Sequence, residues 1–286
     1  MITVFTPTYN RKKELKQLYN SLLKQNYKDF EWLIVDDGSK DDTKNYIDKI
    51  KKEKKIIINY IYKENGGKQS AYNFGLKHSK GNIFLCIDSD DILKTNILFQ
   101  IATDFEKINT NDKVCGIAYL QSYIKEKKKI IGTRFPKDYM EIDYYSIYNK
   151  LGVKGDKLIV LKTEIAKDYK FPIIEGEKFV PEALIFNRIS LNYNLLCKNT
   201  IAAHKEYLIG GYSDNYFNLV KRNPKGNQLY YKELLKFNSS FYNIYAYILF
   251  GFFSNKTFKE IIKESNNKFK VILLLIPTFI VYKKRR

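Results

Sequence analysis

The sequence predicts an α/β protein built on a doubly wound, mostly parallel sheet, and three observations lead to that fold class. Short apolar stretches alternate with amphipathic helical stretches through the first hundred residues. The loops that join them are short, as in βαβ units. Polar motifs stand where the apolar stretches end, and open α/β sheets bind their ligands beyond the carboxyl ends of the strands. A smaller second half and a helical C-terminal appendage are expected to follow.

The predicted elements alternate in order. The first strand lies in ITVFTPTYN, and the first helix lies in RKKELKQLYNSLLKQ, where Leu15, Leu18, Leu22 and Leu23 share one face. The second strand lies in FEWLIVDDGS, and the helix of DDTKNYIDKIKKE begins with Asp and Thr in capping positions. The third strand lies in IINYIYKEN. A glycine loop and a short helix follow in GGKQSAYNFGLKHSKG, and NIFLCI is the fourth strand.

Length and charge limit the class of protein. A chain of 286 residues can form one large domain, or one domain with an appendage. The formal net charge of +19 favours polyanions, acidic membranes or phosphorylated small molecules as partners. The three cysteines are far apart and lack metal-ligand spacing, which indicates reduced thiols in a cytosolic protein. The N-terminal residues begin a strand at once, so no secretion is predicted.

Three carboxylates follow the fourth strand in the stretch DSDD. Asp88 and Asp90 provide hard oxygen ligands at a spacing that suits a divalent cation and leaves room for substrate phosphates. Asp and Ser are also common in solvated turns, which is the structural alternative. The position at a strand end favours the cation site.

Two further motifs follow strand ends. Asp36 and Asp37 directly end the second strand, where carboxylates can accept hydrogen bonds from a nucleobase or a ribose; a turn and a helix cap are the alternative. Gly66 and Gly67 allow the backbone to approach a ligand closely, and Lys68 adds a positive charge at a helix N-terminus that favours anions.

Together these motifs strongly resemble glycosyltransferase family 2, in both order and spacing. The matching stretches are TPTYNR at 6–11, DDGSKDDT at 36–43, GGKQSAYNFG at 66–75 and DSDD at 88–91. The resemblance implies the GT-A fold and an inverting sugar transferase that uses a nucleotide-sugar donor, foremost a UDP-sugar, with Mn²⁺ or Mg²⁺. It also implies a donor half over residues 1–110 and an acceptor half over 111–228.

The resemblance implies roles for the donor residues. Asp88 would lie near the ribose, and Asp90 would hold the cation that bridges the diphosphate, in a DxD element. Pro7, Tyr9 and Asp36 would surround the base, with Lys68 near the base and phosphates. The other donor-binding residues implied are Thr6, Gly67 and Ser89.

The acceptor half offers a candidate base for the attacking hydroxyl. In EGEKFVPEALIFNRIS, Pro181 fits a first helical turn, and Glu182 follows it. Related transferases carry an acidic residue about here, so Glu182 is predicted as the base. The alternative is that Glu182 only complements the helix dipole. Because the Glu-Asp pair of many relatives is missing, Glu175 and Glu177 stay open as alternatives.

Two more sites follow from the resemblance. Some relatives use a histidine in the region of His204 as a further metal ligand, although a lone histidine is more often structural. The segment 210–226 resembles one that closes over the donor diphosphate, and Ser213, Lys221 and Arg222 would contact phosphate there. An exposed basic loop is the alternative.

The segment 229–286 changes in composition. FYNIYAYILFGFF and FKVILLLIPTFIVYKKRR are apolar and aromatic, yet each is shorter than the roughly 20 residues of a spanning helix. They are interpreted as interfacial helices on an anionic membrane, which predicts a cytoplasmic protein peripheral on the inner face. The alternatives are a helical cap on the core, a dimer contact in a homo-oligomer, and a spanning hairpin.

The predicted function is sugar transfer to a hydroxyl of a glycan or a lipid-linked acceptor in bacterial surface polysaccharide, capsule or lipopolysaccharide assembly, as a hexosyltransferase. The main alternative is a sugar nucleotidyltransferase, which would carry a glycine-rich basic loop in place of TPTYNR. Nucleic acid is not predicted as a partner, because carboxylates at the sheet edge repel phosphate without metal and no binding module is visible.

Overall fold

The computed structural model describes residues 1–206 and 216–285. It forms two compact units, Met1–Lys170 with Arg188–Glu206, and Phe171–Asn187 with the described part of Tyr207–Arg286. The boundaries of these compact units differ from the predicted boundaries at residues 110 and 228. The division into a donor half, an acceptor half and a C-terminal segment stays a prediction.

The first unit is built on a sheet of nine strands within the described residues. Its strand order is β3-β2-β1-β4-β8-β6-β9-β5, and β7 pairs with β9. The strands are β1 (Ile2–Thr8), β2 (Phe30–Asp36), β3 (Ile57–Tyr62), β4 (Ile83–Cys86), β5 (Ile92–Leu93), β6 (Val114–Tyr123), β7 (Met140–Ile142), β8 (Lys157–Lys162) and β9 (Asn194–Lys205).

Helices accompany the sheet and form much of the second unit. In the first unit, α1 to α3 fall between the early strands as the alternating pattern predicts. The helices are α1 (Lys12–Leu23), α2 (Thr43–Lys52), α3 (Lys68–His78), α4 (Ile97–Ile108), α5 (Tyr144–Asn149), α6 (Thr163–Asp168), α7 (Ala183–Ile189), α8 (Tyr216–Arg222), α9 (Pro224–Leu234), α10 (Phe241–Phe253), α11 (Phe258–Glu264) and α12 (Lys268–Arg285).

The first four strands form the parallel half of the sheet. β1 pairs in parallel with β2 and β4, and β2 pairs in parallel with β3. β8 then runs antiparallel to β4 and β6, so the sheet is mixed beyond this point. Because β1 lies between β2 and β4, the chain winds outward in both directions from β1, and the carboxyl edge there is where such sheets bind ligands.

Helices cover both faces of this parallel half. Alternate residues of β1 point to opposite faces, so Ile2 and Val4 join the main core with α1, α2 and α4. On the other face the Phe5 ring stacks on Phe84, and both meet Tyr72 of α3 edge-on. The predicted doubly wound α/β fold is confirmed.

A buried carboxylate ties the amino edge of the sheet together. Glu31 of β2 is 1 % exposed and accepts hydrogen bonds from Thr3 Oγ1 at 2.6 Å and from Asn59 Nδ2 at 2.6 Å. The backbone N–H of Lys80 donates to the same side chain at 2.8 Å. Since buried polar groups are costly when unpaired, this network links β1, β2, β3 and the loop before β4.

The second unit has its own apolar core. Tyr247 and Ile248 of α10, Ile261 of α11, and Val271 and Leu275 of α12 are buried together. Ser240 accepts from the Asn243 N–H to cap α10, and Thr257 with Glu260 forms a capping box on α11. No helix in the described parts of the chain combines the length and the apolar character needed to cross a membrane.

Candidate active site

The polar motifs meet at the carboxyl edge of the parallel strands. Thr8 at the end of β1 lies beside Asp36 at the end of β2, and Phe5 lies beside Cys86 at the end of β4. The loops after these three strands carry Tyr9, Asp37 and Asp88. The structure therefore brings the predicted donor residues of the first three motifs and the DSDD stretch to one edge of the sheet.

The predicted base-binding residues differ in exposure. Pro7 is buried in β1, whereas Tyr9 is 46 % exposed at the start of the next loop. Thr6 Oγ1 is buried and accepts from Trp32 Nε1 at 3.0 Å, so its hydroxyl orients a core side chain. Of these, Tyr9 has the ring most accessible to a nucleobase.

Asp36 is held within the turn after β2. It is fully buried, and its Oδ1 accepts from the Ser39 N–H at 2.7 Å. Its Oδ2 accepts from Tyr60 Oη at 2.7 Å. Burial and this carboxylate raise the pKa of Tyr60, so the phenol keeps its proton and keeps donating. One oxygen thus supports the turn and the other anchors Tyr60 of β3, and contact with a base stays a prediction.

Asp37 organises the glycine loop, a role that the sequence did not indicate. Its carboxylate is 4 % exposed and accepts from the backbone N–H groups of Gly66 and Gly67 at 2.9 and 2.7 Å. Lys63 Nζ adds an ion pair at 2.6 Å, and Asn65 Nδ2 donates at 3.1 Å. Because Gly67 has φ of +90°, a side chain there would be strained, and the loop needs glycine to present Lys68.

Asp88 lies between two ammonium groups. Lys68 Nζ is 2.5 Å from Asp88 Oδ1, and Lys205 Nζ at the end of β9 is 3.7 Å from Oδ2. Lys205 is also 3.4 Å from Asp156 Oδ2. Burial alone would raise the pKa of Asp88, but Lys68 and Lys205 outweigh it and lower the pKa to about 2. Asp88 is therefore ionised across the physiological pH range.

The pKa values of the neighbouring Asp90 and Asp91 are raised, whereas that of Asp88 is lowered. Burial, together with the charge of Asp88, raises the pKa of Asp90. Burial raises the pKa of Asp91 well above its ordinary value, although Lys205 opposes this. Ser89, between Asp88 and Asp90, is buried. A cation bound at this loop would offset the burial and repulsion that raise these two pKa values.

The aspartates fit a cation that is shared with a substrate. Asp88 and Asp90 offer hard carboxylate oxygens, and buried Asp91 Oδ1 has no hydrogen-bond partner among the described residues. Within 1–206 and 216–285, no three His, Cys, Asp or Glu side chains are grouped as a ready metal site. Since Mg²⁺-type sites commonly use one or two carboxylates plus substrate phosphates, this donor set suits a cation completed by a diphosphate.

His204 lies opposite Ile92 in the sheet, and its ring contacts Ser122. Its Nδ1 lies 2.6 Å from Ser122 Oγ, and the side chain is 7 % exposed. Burial, with Lys127 and Lys94 nearby, lowers the pKa of His204, so the ring is neutral at pH 7. Side chains alternate along β9, and it is the next residue, Lys205, that reaches Asp88. This arrangement gives no support to His204 as a metal ligand.

The candidate bases lie in the second unit. Glu182 is exposed and directly precedes α7, which begins at Ala183, two residues after Pro181. Glu175 is also exposed. Glu177 instead accepts from the Lys225 and Gly226 N–H groups at 2.7 and 2.8 Å. Both of its oxygens are therefore used at the N-terminus of α9, as the helix dipole favours.

Of the segment 210–226, which is predicted to contact phosphate, the structure describes residues 216–226. Ser213 lies outside the described residues. Lys221 and Arg222 end α8, and Lys221 Nζ donates to the Arg285 carbonyl at 2.9 Å. The Lys221 ammonium also lies 5.8 Å from the Phe253 ring centroid. Lys221 thus contacts the C-terminal helices, and its contact with donor phosphate stays a prediction.

Solved structures share this fold. S. aureus TarS 1–349 in complex with UDP-GlcNAc superposes with a TM-score of 0.64 over 98 % of this chain and 88 % of that chain, at 18 % identity. The mannosyltransferase PcManGT from Pyrobaculum calidifontis, in complex with GDP-Man and Mn²⁺, gives a TM-score of 0.57 over 84 % of this chain and 65 % of that chain, at 17 % identity. The fold is the GT-A fold.

Sequence comparison gives the family. Residues 3–170 match the model described as glycosyl transferase family 2, over more than half of the chain. An uncharacterised glycosyltransferase of Rickettsia prowazekii is 29 % identical over 169 residues, which are 56 % of this chain and 50 % of that protein. The chain belongs to glycosyl transferase family 2, and the predicted resemblance is confirmed. It spans about half the length, or less, of several rickettsial relatives that it matches.

We expect Asp37→Asn to weaken the predicted binding of UDP about 10-fold, which is about 1.4 kcal/mol. The effect is indirect, because Asp37 holds the glycine loop that presents Lys68. The amide keeps one acceptor oxygen and places an NH₂ group against backbone donors, which costs about 2 kcal/mol of folding stability. Isothermal titration with UDP and a thermal melt measure the two effects. Asp41→Asn on the same loop is the matched control, because Asp41 receives the Thr43 N–H and does not touch the glycine loop. Identical UDP affinity in the two variants would contradict the role of Asp37.

Proposed function

We propose that this chain transfers a sugar from a nucleotide-diphosphate donor, foremost a UDP-sugar, to an acceptor hydroxyl with inversion. The observation that carries the proposal is the cluster of Asp88, Asp90 and Asp91 after β4, flanked by Lys68 and Lys205. It lies at the sheet edge where ligands of doubly wound folds bind. The UDP-GlcNAc complex of TarS supports a UDP-sugar donor, by likeness of fold alone.

The charge pattern suits departure of a nucleotide diphosphate. Breaking the bond at the anomeric carbon develops negative charge on the leaving phosphate. A bound divalent cation would stabilise that charge, and Asp88 and Asp90 are the residues that would hold it. Lys68, presented by the glycine loop at the start of α3, supplies a second positive charge. The N-terminus of α3 adds backbone N–H groups that favour anions.

Inversion needs a general base on the acceptor side. A carboxylate that accepts the proton of the attacking hydroxyl serves this role, and Glu182 is our proposed base. Glu182 is exposed just before α7, at the point where related transferases carry an acidic residue. Glu175 shares that exposure and stays the alternative. Glu177 is the least suited of the three, because both of its oxygens already accept backbone hydrogen bonds.

The proposed acceptor is a hydroxyl of a glycan or a lipid-linked glycan, in the assembly of bacterial surface polysaccharide such as capsule or lipopolysaccharide. A lipid-linked acceptor places the enzyme at the inner face of the cytoplasmic membrane. Within the second unit, α12 has a surface suited to that location. We call this surface the outer face of α12, and its residues are Phe269, Ile272, Leu273, Ile276 and Ile280, each more than half exposed.

The outer face of α12 favours an anionic membrane over a second copy of the chain. Its residues follow helical spacing, while Val271 and Leu275 on the inner side are buried. The helix carries five basic side chains and no acidic one. Packing α12 against another copy would bring like charges together, whereas anionic lipid would balance them. Residues 216–285 contain 13 basic and 3 acidic side chains, and this excess of positive charge also favours an anionic membrane.

A screen of nucleotide sugars by thermal shift, with and without Mn²⁺, tests the donor. We expect a UDP-sugar to stabilise the protein only with the cation, and that donor to support transfer. Asp90→Asn should abolish transfer and Mn²⁺-dependent UDP binding while leaving the melting temperature near that of the wild type. Asp112→Asn, an exposed acid away from the cluster, is the control. Full activity in EDTA would contradict the role of the cation.

Glu182→Gln tests the base. The amide keeps the shape of the side chain but does not accept a proton, so kcat should fall roughly 100-fold with donor affinity unchanged. Glu177→Gln should mainly lower the melting temperature, because one of two acceptors at the start of α9 is lost. If Glu175→Gln shows the loss of kcat and Glu182→Gln does not, the base is Glu175.

Co-sedimentation with phosphatidylglycerol vesicles tests the membrane location. Replacing Ile272 and Ile276 by Asp should reduce binding at least 10-fold, since apolar area and charge complementarity are both lost. The matched control replaces Asn255 and Asn266 by Asp, which adds the same charge away from the outer face. Equal binding of both variants would mean that this face does not contact lipid. Self-association of the wild type that is lost only in the Ile variant would assign the face to a second copy.

A further inference from the structure

Both oxygens of Asp88 face lysines, and this bears on how a cation enters the site. Lys68 Nζ is 2.5 Å from Oδ1, and Lys205 Nζ is 3.7 Å from Oδ2. A divalent cation that binds Asp88 must therefore compete with two ammonium groups. We propose that Lys205 couples the cation to the donor: it opposes cation binding to the donor-free protein and supports binding of the cation and a nucleotide diphosphate together. This inference rests on the proposed donor and cation.

The local charges lead to this coupling. Lys68 contacts Asp88, Lys205 contacts Asp88 and Asp156, and Asp90 and Asp91 follow in the same loop. In this partly buried cluster, charges interact more strongly than in water. A cation added alone meets two ammonium groups. A diphosphate added alone meets four carboxylates. When both bind, each offsets the repulsion that the other experiences, and by linkage each raises the affinity of the other.

Lys205 is suited to this role by its second partner. Its Nζ is 3.4 Å from Asp156 Oδ2, slightly closer than to Asp88, and its side chain is 21 % exposed. When a cation takes Asp88, the ammonium group still has Asp156, so it does not become a buried unpaired charge. Lys68 differs, because it is carried by the glycine loop that Asp37 holds. Lys205 is thus a positioning residue that is separate from the loop.

Mn²⁺ binding measured with and without UDP tests the coupling. In the wild type, UDP should strengthen Mn²⁺ binding at least 10-fold, within the usual range of coupling between sites. In Lys205→Met, which keeps the length of the side chain without its charge, Mn²⁺ should bind the UDP-free protein at least 5-fold more tightly, and the effect of UDP should shrink. Electron paramagnetic resonance of free Mn²⁺ gives these affinities without turnover.

Two further variants control the experiment. Lys205→Arg keeps the charge and should keep the coupling. Asp156→Asn removes the ion pair that draws Lys205 away from Asp88, so Mn²⁺ should bind the UDP-free protein more weakly than it binds the wild type. These two variants test the inference even if Lys205→Met does not fold, which circular dichroism would show.

The outcomes separate this inference from the proposed function. Weaker Mn²⁺ binding to UDP-free Lys205→Met, or unchanged coupling in it, would overturn the role of Lys205 while sugar transfer by the wild type stood. Tighter Mn²⁺ binding to Asp156→Asn would overturn it as well. A wild type that binds neither UDP nor any nucleotide sugar would instead overturn the proposed function, and the inference with it.

Discussion

Repulsion among the carboxylates after β4 is the constraint on which the rest of the site depends. Three acidic side chains in four positions are costly in a partly buried loop unless positive charge balances them. Lys68 and Lys205 provide that charge, and they come from the start of α3 and the end of β9. The position of β9 in the sheet is thereby part of the electrostatics of the site, because only that position lets its last side chain reach Asp88.

Buried acidic side chains hold the carboxyl edge of the sheet by hydrogen bonds within the protein. Asp37 receives the N–H groups of the glycine loop, and Asp36 receives Ser39 and Tyr60 across the turn after β2. At the opposite edge, Glu31 links β1, β2 and β3. Fully satisfied buried networks of this kind make backbone positions specific, which is the condition for preorganised binding. Much of the acidic content of the donor half is therefore structural.

In the second unit, tertiary packing divides residues that look alike in sequence. Glu177 holds α9 by its first backbone N–H groups, while Glu175 and Glu182 stay exposed. α10 is apolar on most sides and is buried in the core of this unit, whereas α12 buries one side and leaves five large apolar side chains outside. The two apolar stretches thus have different surroundings, although their compositions both suggested a membrane surface.

The sequence by itself determined the parallel half of the fold and the family, because strand and helix periodicity, glycine positions and motif order are local properties of the chain. It also predicted that Asp36 and Asp88 share one edge, since parallel strands end on the same side. Only the tertiary structure decided that Lys205 reaches Asp88 and that Asp37 binds the glycine loop. These pairings join residues far apart in the chain, and they depend on strand order and on which face each side chain takes, which no local pattern specifies.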